Sequence, residues 1–203
     1  MILAIDTSTA ACSAALFEHD GACIAHKDEL IGRGHSERLV PMLDEMLGGR
    51  RADRILVGVG PGSFTGIRVG IAAAQGLTIA WDCELRGMSS IALLAACAQG
   101  AEPVAAAVEG GHGELFVQQF DGSSIRPQGD LFNLPPSEAA ASVDADLVVG
   151  SAAKTLVDAR GRGRAIDGWP SAQNSLLLPE ELRTLAPKPV YARAPDARAK
   201  DAA

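Results

Sequence analysis

Residues 60–68 read Gly60-Pro61-Gly62-Ser63-Phe64-Thr65-Gly66-Ile67-Arg68 and follow directly on the apolar run Ile-Leu-Val-Gly-Val at 55–59. A short, wholly apolar run is the pattern of a strand covered on both faces. From Phe64 to about residue 80 the apolar residues fall at helical spacing. Strand, glycine turn and helix in that order predict an α/β fold. The turn itself poses the question of what its glycines are for. A phosphate-binding P-loop needs G-x-x-x-x-G-K-[ST], but Gly60 and Gly66 stand one position too far apart and no lysine follows Gly66. The dinucleotide fingerprint G-x-G-x-x-G fails too, because Thr65 stands where its third glycine belongs. What remains is a tight strand-to-helix turn in which Gly60 and Gly62 permit the bend, with Pro61, Ser63, Thr65 and Arg68 completing the motif.

Behind the turn, Gly66, Gly70 and either Ala73 or Ala74 share one helix face, which Leu77 extends. A face of hydrogens and methyls lets another element approach closely, so that dispersion contacts accumulate. Glycine inside a helix costs about 1 kcal/mol relative to alanine. Gly66, Gly70 and Gly76 therefore predict close packing, against either the protein's own core or a second subunit.

Working outward, residues 2–6, 12–17 and 22–28 read as three strands, the last two joined by His19-Asp20-Gly21. Leu39, Met42, Leu43, Met46 and Leu47 mark a helix capped at His35-Ser36 and stopped by Gly48-Gly49. Pro41 inside that pattern predicts a late start or a kink. A strand at 84–87 and a helix at 89–99 close the first half, and Gly100-Ala101-Glu102-Pro103 reads as a boundary. Beyond it come strands at 103–109 and 114–120, a helix at 136–142, a strand at 145–150 and a helix at 152–159. Each half opens strand–turn–strand–turn–strand and then moves into αβ units. This faint internal duplication predicts two domains, 1–100 and a smaller, compact 101–203 with a frayed tail after Tyr191.

With 203 residues, 47% of them hydrophobic, the chain can bury a real core. Its net charge of −7 and scattered arginines argue against gripping a nucleic-acid backbone unaided, because that affinity comes from a basic face. Arg160, Arg162 and Arg164 in a glycine-rich turn read as a solvated loop, and Arg193 and Arg198 fall in the tail. The four cysteines show no C-x-x-C or zinc spacing and read as reduced, buried thiols. No basic residue precedes the first apolar run, so no signal peptide is expected. The run 69–80 is too short and too polar to span a bilayer. A cytoplasmic location follows. The histidines lack metal-ligand spacing, and no G-x-S-x-G elbow supports Ser63 as a nucleophile. Asp6-Thr7-Ser8-Thr9 is the best polar cluster. It reads either as a place for a phosphate with Mg²⁺ or as an Asx/ST turn that closes the first hairpin.

Taken together, ILAIDTSTAACSAALF, HSERLVPML, GPGSFTGIRVGIAAAQGL and the late PVYAR resemble the TsaB (YeaZ) family, in order and over nearly the whole chain. The resemblance implies two RNase-H-like α/β domains of the actin/sugar-kinase/heat-shock ATPase (ASKHA) superfamily. It further implies a noncatalytic subunit in the synthesis of N6-threonylcarbamoyladenosine in tRNA. TsaD carries the active site, TsaE supplies ATP hydrolysis, and the TsaB-type chain binds and stabilises TsaD without holding tRNA itself. Contact with TsaD, or with a second copy in a homodimer, is implied for helices matching residues 36–47 and 64–80. That makes Leu39, Met42, Leu43, Met46, Phe64, Gly66, Val69, Gly70, Ala73, Ala74 and Leu77 the candidate partner interface. TsaD-like proteins place a metal-binding H-x-x-x-H where this chain has Ser90 and Leu94, so no metal and no catalytic residue carries over. ATP or ADP and Mg²⁺ are expected elsewhere in the complex rather than as cofactors of this chain. The family often shows D-A-R at its second-domain hairpin; here Glu109-Gly110-Gly111 stands instead, and no nucleotide role carries over. The competing reading, resting on Asp6–Thr9 and the fold, is an ATP-dependent phosphotransferase or a glycoprotease-type (M22) peptidase.

Overall fold

The computed structural model describes residues 1–190, so the expected fraying after Tyr191, the end of PVYAR, and Arg193 and Arg198 lie outside the described residues. The first half runs β1 (Ile2–Asp6), β2 (Ala11–Phe17), β3 (Cys23–Leu30), α1 (His35–Leu47), β4 (Arg54–Gly58), α2 (Phe64–Trp81), β5 (Glu84–Met88) and α3 (Ser90–Ala96). The second half runs β6 (Val104–Gly111), β7 (Glu114–Phe120), β8 (Phe132–Leu134), α4 (Pro136–Ser142), β9 (Leu147–Val149), α5 (Ala153–Arg160) and β10 (Arg164–Ile166). A 3-10 helix (Ala172–Leu177) and α6 (Glu180–Arg183) follow. The two five-stranded sheets have the orders β3-β2-β1-β4-β5 and β8-β7-β6-β9-β10. In each, three antiparallel strands are followed by two parallel ones reached through helical crossovers. The duplication that is faint in the sequence is thus complete in strand order.

Packing does not stop between the sheets. Every residue of α3 is buried, and its Ile91, Leu93 and Leu94 share one core cluster with Ala4 and Leu56 of the first sheet and Val104, Phe116 and Phe120 of the second. A helix covered on all sides has no use for a polar face, which explains the sequence SIALLAA. The chain also returns to the first sheet after β10. The Ala172 amide donates to Ser13 Oγ at 2.6 Å and Ser171 Oγ donates to Asp28 Oδ2 at 2.7 Å. Farther on, Leu185 and Gly87 exchange backbone hydrogen bonds and the Val190 amide donates to Val59 O. The expected second unit, 101–203, therefore does not keep its last described stretch to itself, since residues 171–190 bond to β2, β3, β5 and Val59 just after β4.

α1 neither starts late nor breaks at Pro41. It begins at His35, behind Gly34 with φ 89°, and runs through Pro41, whose ring faces solvent. The buried His35 holds that start, with Nε2 3.2 Å from Ala11 O. Because a carbonyl only accepts, Nε2 carries the proton. Farther along, Arg38 forks onto Glu29 and Glu45, and Lys27 pairs with Glu45, which ties α1 to edge strand β3. Hydrogen bonds from Arg38 and then Lys27 hold the Glu45 carboxyl at about 2, against an ordinary 4.5. A carboxyl lowered on folding contributes stability above its unfolded value and loses it as pH falls through the folded one. Glu45→Gln is therefore expected to be slightly less stable than wild type above about pH 4.5, the gap closing as pH falls towards about 2. The pair is exposed, so the gap is small; urea midpoints measured across this window check it.

Candidate functional site

GPGSFTGIR answers to the first turn of its own chain. The Ser63 amide donates to Ser8 O at 2.6 Å, and Thr7 Oγ1 donates to Gly66 O at 2.7 Å. Ser63 Oγ accepts from the Gly66 amide and caps α2. A Cβ at Gly62, whose φ is 153°, would sit less than 3.0 Å from Ser8 O, and one at Gly66 equally close to Thr7 O. At Gly70 it would meet Thr7 Oγ1 at 2.5 Å. The glycines are needed because the start of α2 lies directly on the β1–β2 turn.

That placement corrects part of the expected interface. Gly66, Gly70 and Ala74 face inward, and Leu39, Met42 and Met46 are buried in the core between α1, α2 and the first sheet; Leu43 is buried there too but also borders the groove between the two helices. Helical spacing finds the apolar face of an amphipathic helix, and in both helices most of that face is spent on the protein's own sheet. Gly70→Leu would consequently report on folding rather than on a partner. Of the expected residues, Phe64 is 56% exposed, and Val69, Ala73 and Leu77 are half-buried.

The Asp6-Thr7-Ser8-Thr9 cluster is also turned inward. Asp6 Oδ1 accepts from the Ser8 amide (2.9 Å) and hydroxyl (2.7 Å), and Oδ2 accepts from Ser90 Oγ at 2.6 Å. Ser90 Oγ accepts in turn from the Gly60 amide at 3.1 Å. Burial pushes the Asp6 carboxyl up, against the pull of these donors. Asp6 and Thr7 are 1% exposed and Ser8 0%, so only Thr9 of the cluster is partly open, and Ser8 and Thr9 border a cavity. Ser90 thus joins the first turn to the glycine loop, and Leu94 lies in the core. Among the described residues no three His, Cys, Asp or Glu side chains come together as metal ligands.

Two concavities adjoin these elements. A cleft of about 1410 Å³ runs between the halves, with Arg33 and Arg68 on one wall and Glu109, Asp167 and Trp169 on the other. The Arg68 guanidinium lies 3.6 Å over the Phe64 ring. The second is a groove of about 560 Å³ between the outer faces of α1 and α2. Val40, Leu43 and Leu47 line it from α1, Ala73, Gly76, Leu77 and Trp81 line it from α2, and Arg50 and Arg51 stand at one end. Val40 is 61% exposed, and Ile79 on α2 is 84% exposed. Gly76 differs from the inward glycines, since a Cβ there would meet nothing within 4 Å. Val40, Gly76, Ile79 and Trp81 were not among the expected interface residues. The only signal for Val40, Gly76 and Ile79 in the sequence is an apolar or glycine residue away from the core-forming positions, whereas Trp81 is partly buried against the core.

Arg162 and Arg164 are exposed, as a solvated turn predicts, but the triplet is tied down by hydrogen bonds and ion pairs. Arg160 donates to Val143 O and Arg162 O, while Arg162 pairs with Asp146 and Arg164 with Glu102. Of the cysteines only Cys12 is buried, and Cys23 and Cys97 are exposed. Among the described residues no helix is long and apolar enough to cross a membrane.

A family model described as "TsaD: tRNA N6-adenosine threonylcarbamoyltransferase" matches residues 27–144, more than half of the chain. The solved structure of YeaZ from Pseudomonas aeruginosa superposes with a TM-score of 0.77 at 32% identity, covering 94% of this chain and 98% of that one. The chain belongs to the TsaB/YeaZ family. Two curated relatives bear the name "tRNA threonylcarbamoyladenosine biosynthesis protein TsaB". The one from Haemophilus influenzae is 38% identical over 140 residues, 64% of this chain and 58% of the relative. The one from Escherichia coli is 41% identical over 127 residues, 59% and 54% respectively. The match spans little more than half of the length of each of these two relatives.

Proposed function

We propose that this protein is a noncatalytic subunit in the N6-threonylcarbamoylation of adenosine in tRNA, and that it binds and stabilises a TsaD-type catalytic subunit through the α1–α2 groove. One observation carries the docking reading: Gly76 lies in the middle of a helix with no neighbour of its own to require it, beside exposed Val40 and Ile79. Covering such a face removes apolar surface from water, worth about 25 cal/mol per Å² before the costs of association. The family to which the chain belongs supplies the partner. The repeated strand order supports two RNase-H-like domains of the ASKHA superfamily, divided near residue 100, with the partner-binding helices in the first.

The same face would serve a homodimer, in competition with the TsaD-type subunit. TsaE and the nucleotide with Mg²⁺ belong to the rest of the complex, in the cytoplasm. The phosphotransferase or peptidase reading loses its main support, because both oxygens of Asp6 are already taken by Ser8 and Ser90 and the side chain does not reach the cleft.

The test is co-purification of the full chain with the TsaD-family protein of the same organism, with and without TsaE and ATP. A stoichiometric complex is expected in either condition, and none in both would overturn the proposal. A saturable calorimetric signal with ATP and Mg²⁺ for the isolated chain, accompanied by turnover, would move the reading to the phosphotransferase.

A further inference from the structure

The groove between α1 and α2 is lined mainly by apolar residues, with Asp44 on its α1 side and Arg50 and Arg51 at one end. Arg50 and Arg51 precede β4, whose Arg54 pairs in register with Glu84 just past the end of α2. Both arginines therefore stand at the Trp81 end of the groove, which they line. Of the other first-half cations, Lys27, Arg38, Arg54 and Arg86 are held in ion pairs, while Arg33 and Arg68 line the cleft between the halves. Arg50 donates only to the Leu47 carbonyl, at 3.0 Å, and among the described residues neither it nor Arg51 has a carboxylate partner. Two guanidinium groups without an ion-pair partner among the described residues, in a chain of net charge −7, sit at the mouth of a mainly apolar channel.

We infer that this end of the groove recognises a carboxylate: the occupant is an amphipathic helix of the partner subunit, its apolar face over Gly76 and Leu77, with an Asp or Glu side chain reaching Arg50 and Arg51. Guanidinium groups bind carboxylates with paired, directional hydrogen bonds, so the contact fixes the direction and register of the incoming helix as well as adding affinity. A nucleic-acid phosphate would satisfy the same two arginines. A surface that holds RNA neutralises several phosphates, however, and here Asp44 lines the same groove beside an apolar floor. The inference rests on the reading of the groove as the docking face.

The experiment measures Kd for the TsaD-family protein of the same organism at about 0.1 M and about 1 M salt. It compares wild type, the Arg50→Glu/Arg51→Glu double variant, Arg50→Lys/Arg51→Lys, and Gly76→Leu. The charge-reversed variant is expected to bind about ten-fold more weakly or worse at low salt, and to lose most of its salt dependence. The lysine variant should retain part of the affinity. If Gly76→Leu weakens binding while charge reversal does not, the docking face stands and the carboxylate recognition is wrong. Should neither variant change Kd, the docking face itself fails. If charge reversal leaves the protein complex intact but lowers retention of tRNA in a filter assay, the arginines belong to a nucleic-acid surface and the inference is overturned.

Discussion

Gly66→Ala is expected to cost at least about 3 kcal/mol, the upper end of ordinary overpacking, and to lower the yield of folded protein sharply. The added methyl would fall less than 3.0 Å from Thr7 O, and a backbone carbonyl has no rotamer to move into. Retreat of the helix is blocked as well. Thr7 Oγ1 is bonded to Gly66 O, the Ser63 amide to Ser8 O, and the neighbouring Ile67 is locked in the core. Alanine's better helix propensity returns only about 1 kcal/mol. The turn behind Thr7 is equally fixed, since Asp6 holds both the Ser8 amide and hydroxyl and is itself held by Ser90. Against a typical domain stability of about 5–15 kcal/mol, such a loss shows directly in a urea midpoint. A variant within about 1 kcal/mol of wild type would mean that α2 does not ride on this turn.

Gly76 is expected to behave in the opposite way, and the contrast separates folding from binding. Gly76→Ala should leave the fold more stable by up to about 1 kcal/mol, because it adds helix propensity where a Cβ meets nothing within 4 Å. Gly76→Leu should also fold, yet bind the TsaD-family protein more than about ten-fold more weakly, since its side chain fills the place where a partner helix crosses. Paired measurements, thermal or urea midpoints beside Kd by calorimetry, read the two effects apart. Unchanged affinity for Gly76→Leu would leave the glycine without a role in docking.

The two sets of glycines also show how far the sequence could be read. The strand–turn–helix order around GPGSFTGIR, the helical run from Leu39 to Leu47 and the doubled opening of each half are local patterns, and the structure has all of them. Short pieces escaped: β8, β10, the 3-10 helix and α6 are three to six residues long, too short for a period to register. Their positions come from the sheet edge or core they join. The return of residues 171–190 to the first sheet escaped for another reason. Its bonds join Ser13, Asp28, Gly87 and Val59 to residues far along the chain, and nothing in the local composition marks such pairings.

At the candidate site the division is sharper. Spacing alone shows that Gly66, Gly70 and Gly76 belong to one helix and that something must lie close to it. It also rules out both common phosphate loops, because those motifs are matters of count. Which glycine meets the protein's own first turn and which one faces outward is a matter of rotation about the helix axis. That angle is set by where β1 and β4 end and by how Thr7 and Val57 press on α2. A repeat of 3.6 residues arranges side chains relative to one another but does not orient them towards a neighbour. For the same reason the sequence leaves Asp6 open as a ligand for Mg²⁺ or a turn former, and only the fold places Ser90, far along the chain, on its second oxygen.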